Sequence, residues 1–128
     1  LVIAQEFIPT DFDWRIGVLN KKPLYVCRYY MAKDHWQIVN WKGAGLPDEG
    51  EADTLAVDEA PKALLDLAVK ATSLIGNGLY GVDIKQRGKK FYIIEINDNP
   101  NLDEGVEDAV LKQQLYTTIM QEFMNRLL

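Results

Sequence analysis

The stretch LYGVDIKQRGKKFYIIEIN, residues 79–97, decides how this chain folds. Two runs rich in β-branched and aromatic residues, 79–86 and 91–97, flank the turn-forming segment 87–90, and this pattern predicts an antiparallel hairpin. The polar side chains within these apolar strands include Asp83, Glu95 and Asn97, which carry hard oxygen ligands. An isoleucine-rich hairpin has little structural need for them, so they are candidate ligand-binding residues.

The register of this hairpin decides whether the three polar side chains meet. Glu95 and Asn97 are two residues apart on one strand, so they point to the same face. A slip of one residue would bury a carboxylate against isoleucines, which is strongly unfavourable. We therefore expect a turn with an odd number of residues and the cross-strand pairs Asp83–Glu95, Val82–Ile96 and Ile84–Ile94.

Carboxylate and amide oxygens are hard ligands, and such a set typically binds Mg²⁺ that carries nucleotide phosphates. The hairpin therefore predicts a metal site formed by Asp83, Glu95 and Asn97. Glu95 can use both of its oxygens, which allows for two ions, and Mn²⁺ would suit the same donors. The competing interpretation is a solvated sheet face with incidental acids.

Composition excludes several classes of protein. The chain has 128 residues, enough for one domain, 1–128, with a core of its own. Its net charge of -5 argues against a general nucleic-acid-binding protein. The single cysteine, Cys27, fits a reducing cytoplasm and, lying among apolar residues, is read as core. No run approaches the roughly 18 apolar residues of a membrane span, so we expect a cytoplasmic protein without a membrane partner.

The remaining strands follow from alternation and turn signals. Residues 1–8 form an apolar run that predicts a strand, and residues 12–31 alternate as a second hairpin around a turn at 20–23. The polar segment 32–52 predicts a long loop, followed by a short strand at 53–57.

Two helices complete the prediction. Acidic residues and Pro61 start a helix whose apolar spacing continues to a glycine-containing stop at 76–78, and a last helix begins near Asp108. Antiparallel hairpins and helices in separate blocks predict an α+β fold, with a sheet of two hairpins and helices packed on one face.

The predicted hairpin at 12–31 contains a second candidate site. With its turn at 20–23, Arg15 lies opposite Arg28, and facing like charges are unfavourable unless an anion lies between them. The pair therefore predicts a phosphate-binding wall. The alternative is that one arginine simply extends to solvent.

Four segments together resemble the ATP-grasp ligases over residues 1–108. EINDNPN resembles their metal-binding motif, GLYGVDI the strand before it, QEFI the adenine hinge, and DFDWRIGVLNKKPL the strand that carries an arginine. The nearest group is RimK-like, whose members join amino acids to a carboxylate. The resemblance implies that ATP activates a carboxylate as an acyl phosphate, which an amine then attacks with the help of one or two Mg²⁺ ions.

The resemblance also implies roles for individual residues. Asp83, Glu95 and Asn97 would bind the metal, Asp13 would approach the ribose, and Arg15 and Arg28 would be catalytic residues facing the transferred phosphoryl group. The adenine would be lined by Gln5, Glu6, Phe7 and Ile8. Further ligand contacts would come from His35 and Gln37, although a lone histidine beside a tryptophan is often only packing or surface.

The match has one clear departure. The glycine-rich loop and lysines that grip phosphates in these ligases have no counterpart before residue 5, and the chain begins without Met inside an apolar run. We expect a C-terminal ATP-grasp part whose N-terminal parts lie elsewhere, and a fragment inactive alone. A non-catalytic nucleotide- or metal-binding module and a protein-interaction domain remain alternatives, and the oligomeric state stays open.

Overall fold

The structure, a computed structural model, describes residues 1–31, 39–40, 48–49 and 51–128. Its elements are β1 (Phe12–Leu19), β2 (Lys22–Tyr30), β3 (Val39–Asn40), β4 (Asp48–Glu49), β5 (Ala52–Leu55), α1 (Lys62–Ser73), β6 (Leu79–Arg87), β7 (Lys90–Asn97) and α2 (Gln113–Leu127), with a 3₁₀ turn at Val57–Glu59. Five strands form an antiparallel sheet in the order β5-β2-β1-β6-β7, and β3 pairs with β4. The predicted α+β class with two antiparallel hairpins is confirmed.

The two helices cover opposite faces of the sheet, not the single face expected from the sequence. On one face, Leu64 and Ala68 of α1 pack with the apolar residues of β1, β2 and β6, including Ile16 and Val82, which are fully buried. On the other face, Leu115 and Ile119 of α2 join a second cluster. Adjacent residues of β2 show the division, because Val26 belongs to the first cluster and Cys27 to the second.

The hairpin of β6 and β7 has the predicted pairing of polar residues, but its turn length and part of its register differ from the prediction. Asp83 lies opposite Glu95 and Val82 opposite Ile96, as expected, whereas Ile84 lies opposite Ile93. The turn has two residues between Arg87 and Lys90, so the predicted odd-length turn is wrong. A β-bulge beside Asp83 supplies the extra residue, Ile94, and restores the polar face.

The predicted opposition of Arg15 and Arg28 is wrong. Arg15 lies opposite Cys27, and Arg28 lies opposite Trp14. The turn holds only Asn20 and Lys21, both with positive φ (47° and 62°), as a two-residue hairpin turn of type I′ requires. A bulge after Gly17 then shifts the register, so the two arginines point to opposite faces.

Other boundaries also differ from the sequence prediction. Residues 1–10 contain no strand and are mostly exposed, so the predicted strand at 1–8 is wrong: no described strand pairs with this run. The last helix starts at Gln113 and not near Asp108, because turns fill 104–112 and Lys112 adopts a positive φ of 54°. Of the predicted loop at 32–52, residues 32–38, 41–47 and 50 lie outside the described residues. No helix in the described part is both long and apolar enough for a bilayer span.

Gly17 provides a test of how tightly the sheet is packed. A Cβ at this position would lie 2.2 Å from a ring carbon of Tyr25. We expect Gly17→Ala to lower the free energy of unfolding by about 1–3 kcal/mol, because the ring has to move in a close-packed layer.

Chemical denaturation would measure the change, with Gly78→Ala as the matched control. A Cβ at Gly78 would come no closer than 3.4 Å to Tyr80, which is ordinary contact. Equal stability of the two variants would contradict the close approach.

Candidate functional site

The sheet brings the three predicted metal ligands to one place. Asp83 lies opposite Glu95, and Gly81, two residues before Asp83, lies opposite Asn97, so the three side chains share one face. We call Asp83, Glu95 and Asn97 the acidic corner. A cavity of about 60 Å³ adjoins it, lined by Arg15, Gly81, Asp83, Glu95, Asn97, Pro100 and Asn101.

Gly81 allows the loop after β7 to pack closely beside the corner. A Cβ at Gly81 would lie 2.8 Å from Cβ of Pro100, so a larger residue would push the loop away. Within the same loop, the backbone N–H of Asn99 donates to Oδ1 of Asn97 at 2.8 Å, which fixes the orientation of that amide. The Glu95 and Asn97 side chains are exposed and accessible to a ligand.

Arg15 occupies both oxygens of Asp83. Its Nε donates to Oδ1 at 2.7 Å and its Nη2 to Oδ2 at 3.0 Å, a two-point ion pair with both side chains about four-fifths buried. Burial acts to lower the pKa of Arg15, but the hydrogen bonds and charge of Asp83 outweigh it, and the net pKa is raised. The guanidinium also lies 4.5 Å from the ring centre of Tyr29. Arg15 is therefore a permanent cation beside the corner.

The donor set of the corner suits a hard divalent cation. Two carboxylates and one amide supply only oxygen, which Mg²⁺ and Mn²⁺ accept. The described ranges contain no group of three or more His, Cys, Asp and Glu side chains arranged to hold a metal. The fit therefore depends on Asn97 as the third protein donor, with the remaining positions open to water or phosphate.

Asp13 is engaged in a neighbouring ion pair that sequence reasoning missed. Nζ of Lys85 donates to Oδ1 of Asp13 at 2.6 Å and to the hydroxyl of Thr10 at 2.9 Å. Lys85 and Asp13 are 8% and 13% exposed, so this is a nearly buried pair. The ribose contact of Asp13 stays a prediction. The sequence did hold one signal for Lys85, because its position two residues after Asp83 places the two side chains on the same face of the strand.

Arg28 lies away from the corner, on the α1 face of the sheet. It makes a two-point ion pair with Asp53 at 2.8 and 2.6 Å and lies over the ring of Phe12. The geometric argument for Arg28 as a phosphate-binding residue is thereby removed. Both His35 and Gln37 lie outside the described residues.

The predicted adenine segment, Gln5 to Ile8, precedes β1. Its first three residues are exposed, with Phe7 55% exposed, and Ile8 is half-buried. Their nucleotide contacts stay a prediction.

The corresponding strands and helices are found in solved structures of the ATP-grasp ligase PsnB. Complexed with a minimal precursor, PsnB matches with a TM-score of 0.61 and 17% identity, over 90% of this chain and 36% of that one. Its complex with the precursor peptide PsnA2 and AMPPNP matches with a TM-score of 0.60 and 16% identity, over 91% and 33%. Its complex with minimal precursor, Mg and ADP matches with a TM-score of 0.55 and 19% identity, over 90% and 34%.

This chain has an ATP-grasp fold. It spans about a third of the length of the PsnB chains that it matches. No protein-family model matches the sequence, and no curated protein matches it. The similarity shows the fold, and the narrower RimK-like resemblance stays a prediction.

The ion pair of Arg15 and Asp83 predicts competition with a metal. We expect Arg15→Gln to tighten the binding of Mn²⁺ alone by about tenfold, on the order of 1.4 kcal/mol, because it removes a cation and frees the carboxylate. Electron paramagnetic resonance titration of free Mn²⁺ would measure the affinity.

Arg28→Gln is the matched control, since it removes the same charge from the opposite face. The competition would be refuted if Arg15→Gln bound Mn²⁺ no more tightly than the native protein or this control.

Proposed function

We propose that this chain is the metal- and phosphate-binding part of an ATP- and Mg²⁺-dependent carboxylate–amine ligase. The observation that carries the proposal is the acidic corner with Arg15 beside it, on one face of an ATP-grasp sheet. The cavity at the corner and the loop packed on Gly81 beside it favour a binding site over a solvated face with incidental acids.

The structural neighbours indicate the type of substrate. PsnB was solved with a precursor peptide and AMPPNP, and with Mg and ADP. We extend these ligands to the present chain as ATP, Mg²⁺ and a peptide-type carboxylate. An amino acid or another amine would be the acceptor. The reaction would release ADP and phosphate.

The chemistry needs little from the protein beyond positioning and charge. The substrate carboxylate attacks the γ-phosphorus, ADP leaves, and the amine then displaces phosphate from the acyl phosphate with loss of a proton. Mg²⁺, when bound, would neutralise charge on the transferred phosphoryl group. Asp83, Glu95 and Asn97 would hold that ion, and Arg15 would stabilise the developing negative charge once phosphate draws it from Asp83.

Because the chain covers about a third of its structural neighbours, turnover is proposed for the protein together with the parts that grip ATP from the other side. Segment 5–8 would support the adenine through its backbone groups. A nucleotide-binding module without turnover would share this geometry but would not release ADP in response to an amine substrate.

Glu95→Gln tests the metal assignment in the complete protein. We expect amine-dependent ADP release to fall by at least about 100-fold, because the corner loses one of two negative donors for the metal. A coupled assay for ADP measures the rate.

The control is Glu122→Gln, the same substitution on α2, where Glu122 pairs only with Arg126 among the described residues. The metal assignment fails if Glu95→Gln and this control release ADP at the same rate.

A further inference from the structure

Tyr25 crosses the sheet toward the acidic corner. The strand registers align one row of four residues on one face, which are Tyr25 on β2, Gly17 on β1, Gly81 on β6 and Asn97 on β7. The two central residues are glycines, and the Tyr25 ring lies over the first, only 2.2 Å from where a Cβ would stand. Its hydroxyl ends over β6, 3.8 Å from the Cβ position of Gly81.

The hydroxyl of Tyr25 is buried without a partner. The residue is 2% exposed, and its Oη makes no hydrogen bond within the part of the chain that the structure describes. Buried hydroxyls are nearly always paired, so this one calls for an explanation. Burial, followed by the nearby Glu107 carboxylate, raises the pKa of Tyr25. The hydroxyl therefore keeps its proton at neutral pH and is available as a donor.

The hydroxyl of Tyr25 ends beside Gly81, a residue that borders the corner. Gly81 and Pro100 both line the cavity of about 60 Å³. Asn97 approaches Gly81 from β7, and Tyr25 approaches it from the β2 side across β1. The hydroxyl and the Asn97 side chain thus flank the same glycine.

Packing alone does not require this hydroxyl. A phenylalanine ring would cover Gly17 equally well and would bury no polar atom. The buried oxygen is therefore better explained by a partner that joins from the corner than by the stability of the sheet.

We propose that Tyr25 is a positioning residue whose hydroxyl donates a hydrogen bond to an oxygen held by the cation of the acidic corner, either a water oxygen or a phosphate oxygen. The proposal rests on the proposed function, because it needs a cation at Asp83, Glu95 and Asn97. It adds a donor from β2 to a site otherwise built from β1, β6, β7 and the following loop.

Tyr25→Phe removes only the hydroxyl. We expect an unchanged or higher Tm, together with binding weakened by about 3- to 10-fold, the range of one hydrogen bond. Binding would be measured in the complete protein with Mn²⁺ alone and with Mn²⁺ plus ADP. Weaker binding in the Mn²⁺ titration assigns the partner as a water oxygen, and weaker binding only in the presence of ADP assigns it as a phosphate oxygen.

Tyr116→Phe is the matched control, because the Tyr116 hydroxyl bonds to Asp108 at 2.9 Å. It should lower the Tm and leave both affinities unchanged.

Glu95→Gln distinguishes a failure of the Tyr25 proposal from a failure of the metal assignment. If it weakens binding while Tyr25→Phe leaves both affinities intact, the role of Tyr25 is overturned and the metal assignment stands. If Glu95→Gln leaves both affinities intact, the metal assignment itself is overturned. A lower Tm with native affinities in Tyr25→Phe would make the hydroxyl structural and also overturn the proposal.

Discussion

The structure depends on the pairing of β1 with β6, which joins the two hairpins into one sheet and which we call the seam. On one face of this seam the strands exchange charges in both directions, with Arg15 on Asp83 and Lys85 on Asp13. The other face is apolar, and Ile16 there is fully buried. A slip of one residue would carry the charges into that core, so the charge exchange and the hydrophobic pattern specify the same register.

The glycines of the seam make room for larger residues that reach over it. Gly17 accommodates the ring of Tyr25, and Gly81 accommodates Pro100. In this way Tyr25 of β2 and Pro100 of the loop after β7 both approach Gly81, next to the acidic corner. The cavity at the corner is lined by residues of β1, β6, β7 and the loop after β7, although its three predicted ligands come from one hairpin.

Alternation was sufficient to predict the hairpins, the α+β class and the pairing of Asp83 with Glu95. It could not predict the bulges, because one additional apolar residue, such as Ile94, leaves the pattern of polar and apolar residues almost unchanged. The same limitation placed Arg28 opposite Arg15, where a shorter turn and a bulge in fact move it to the other face.

The sequence also did not show which distant segments of the chain pair with one another. The run at 1–8 has the composition of a strand, but a strand also needs a neighbour, and composition does not reveal one. The contacts of Lys85 and Tyr25 were likewise missed, because they appear only when β6 and β2 are aligned with β1. For both residues, alternation predicts the face of the sheet on which the side chain lies but not the residue that it contacts.

The ion pair of Arg15 and Asp83 also affects how the domain folds. Asp83 and Glu95 are like charges directly opposite each other, an arrangement that weakens an antiparallel pair. Arg15 provides an internal counter-ion, so the sheet does not need a cation to offset this repulsion. In small metal-dependent domains the ion supplies the folding energy, and removing it unfolds the chain. Here Arg15 supplies the counter-charge from within the chain, so the sheet can form whether or not a cation binds at the corner.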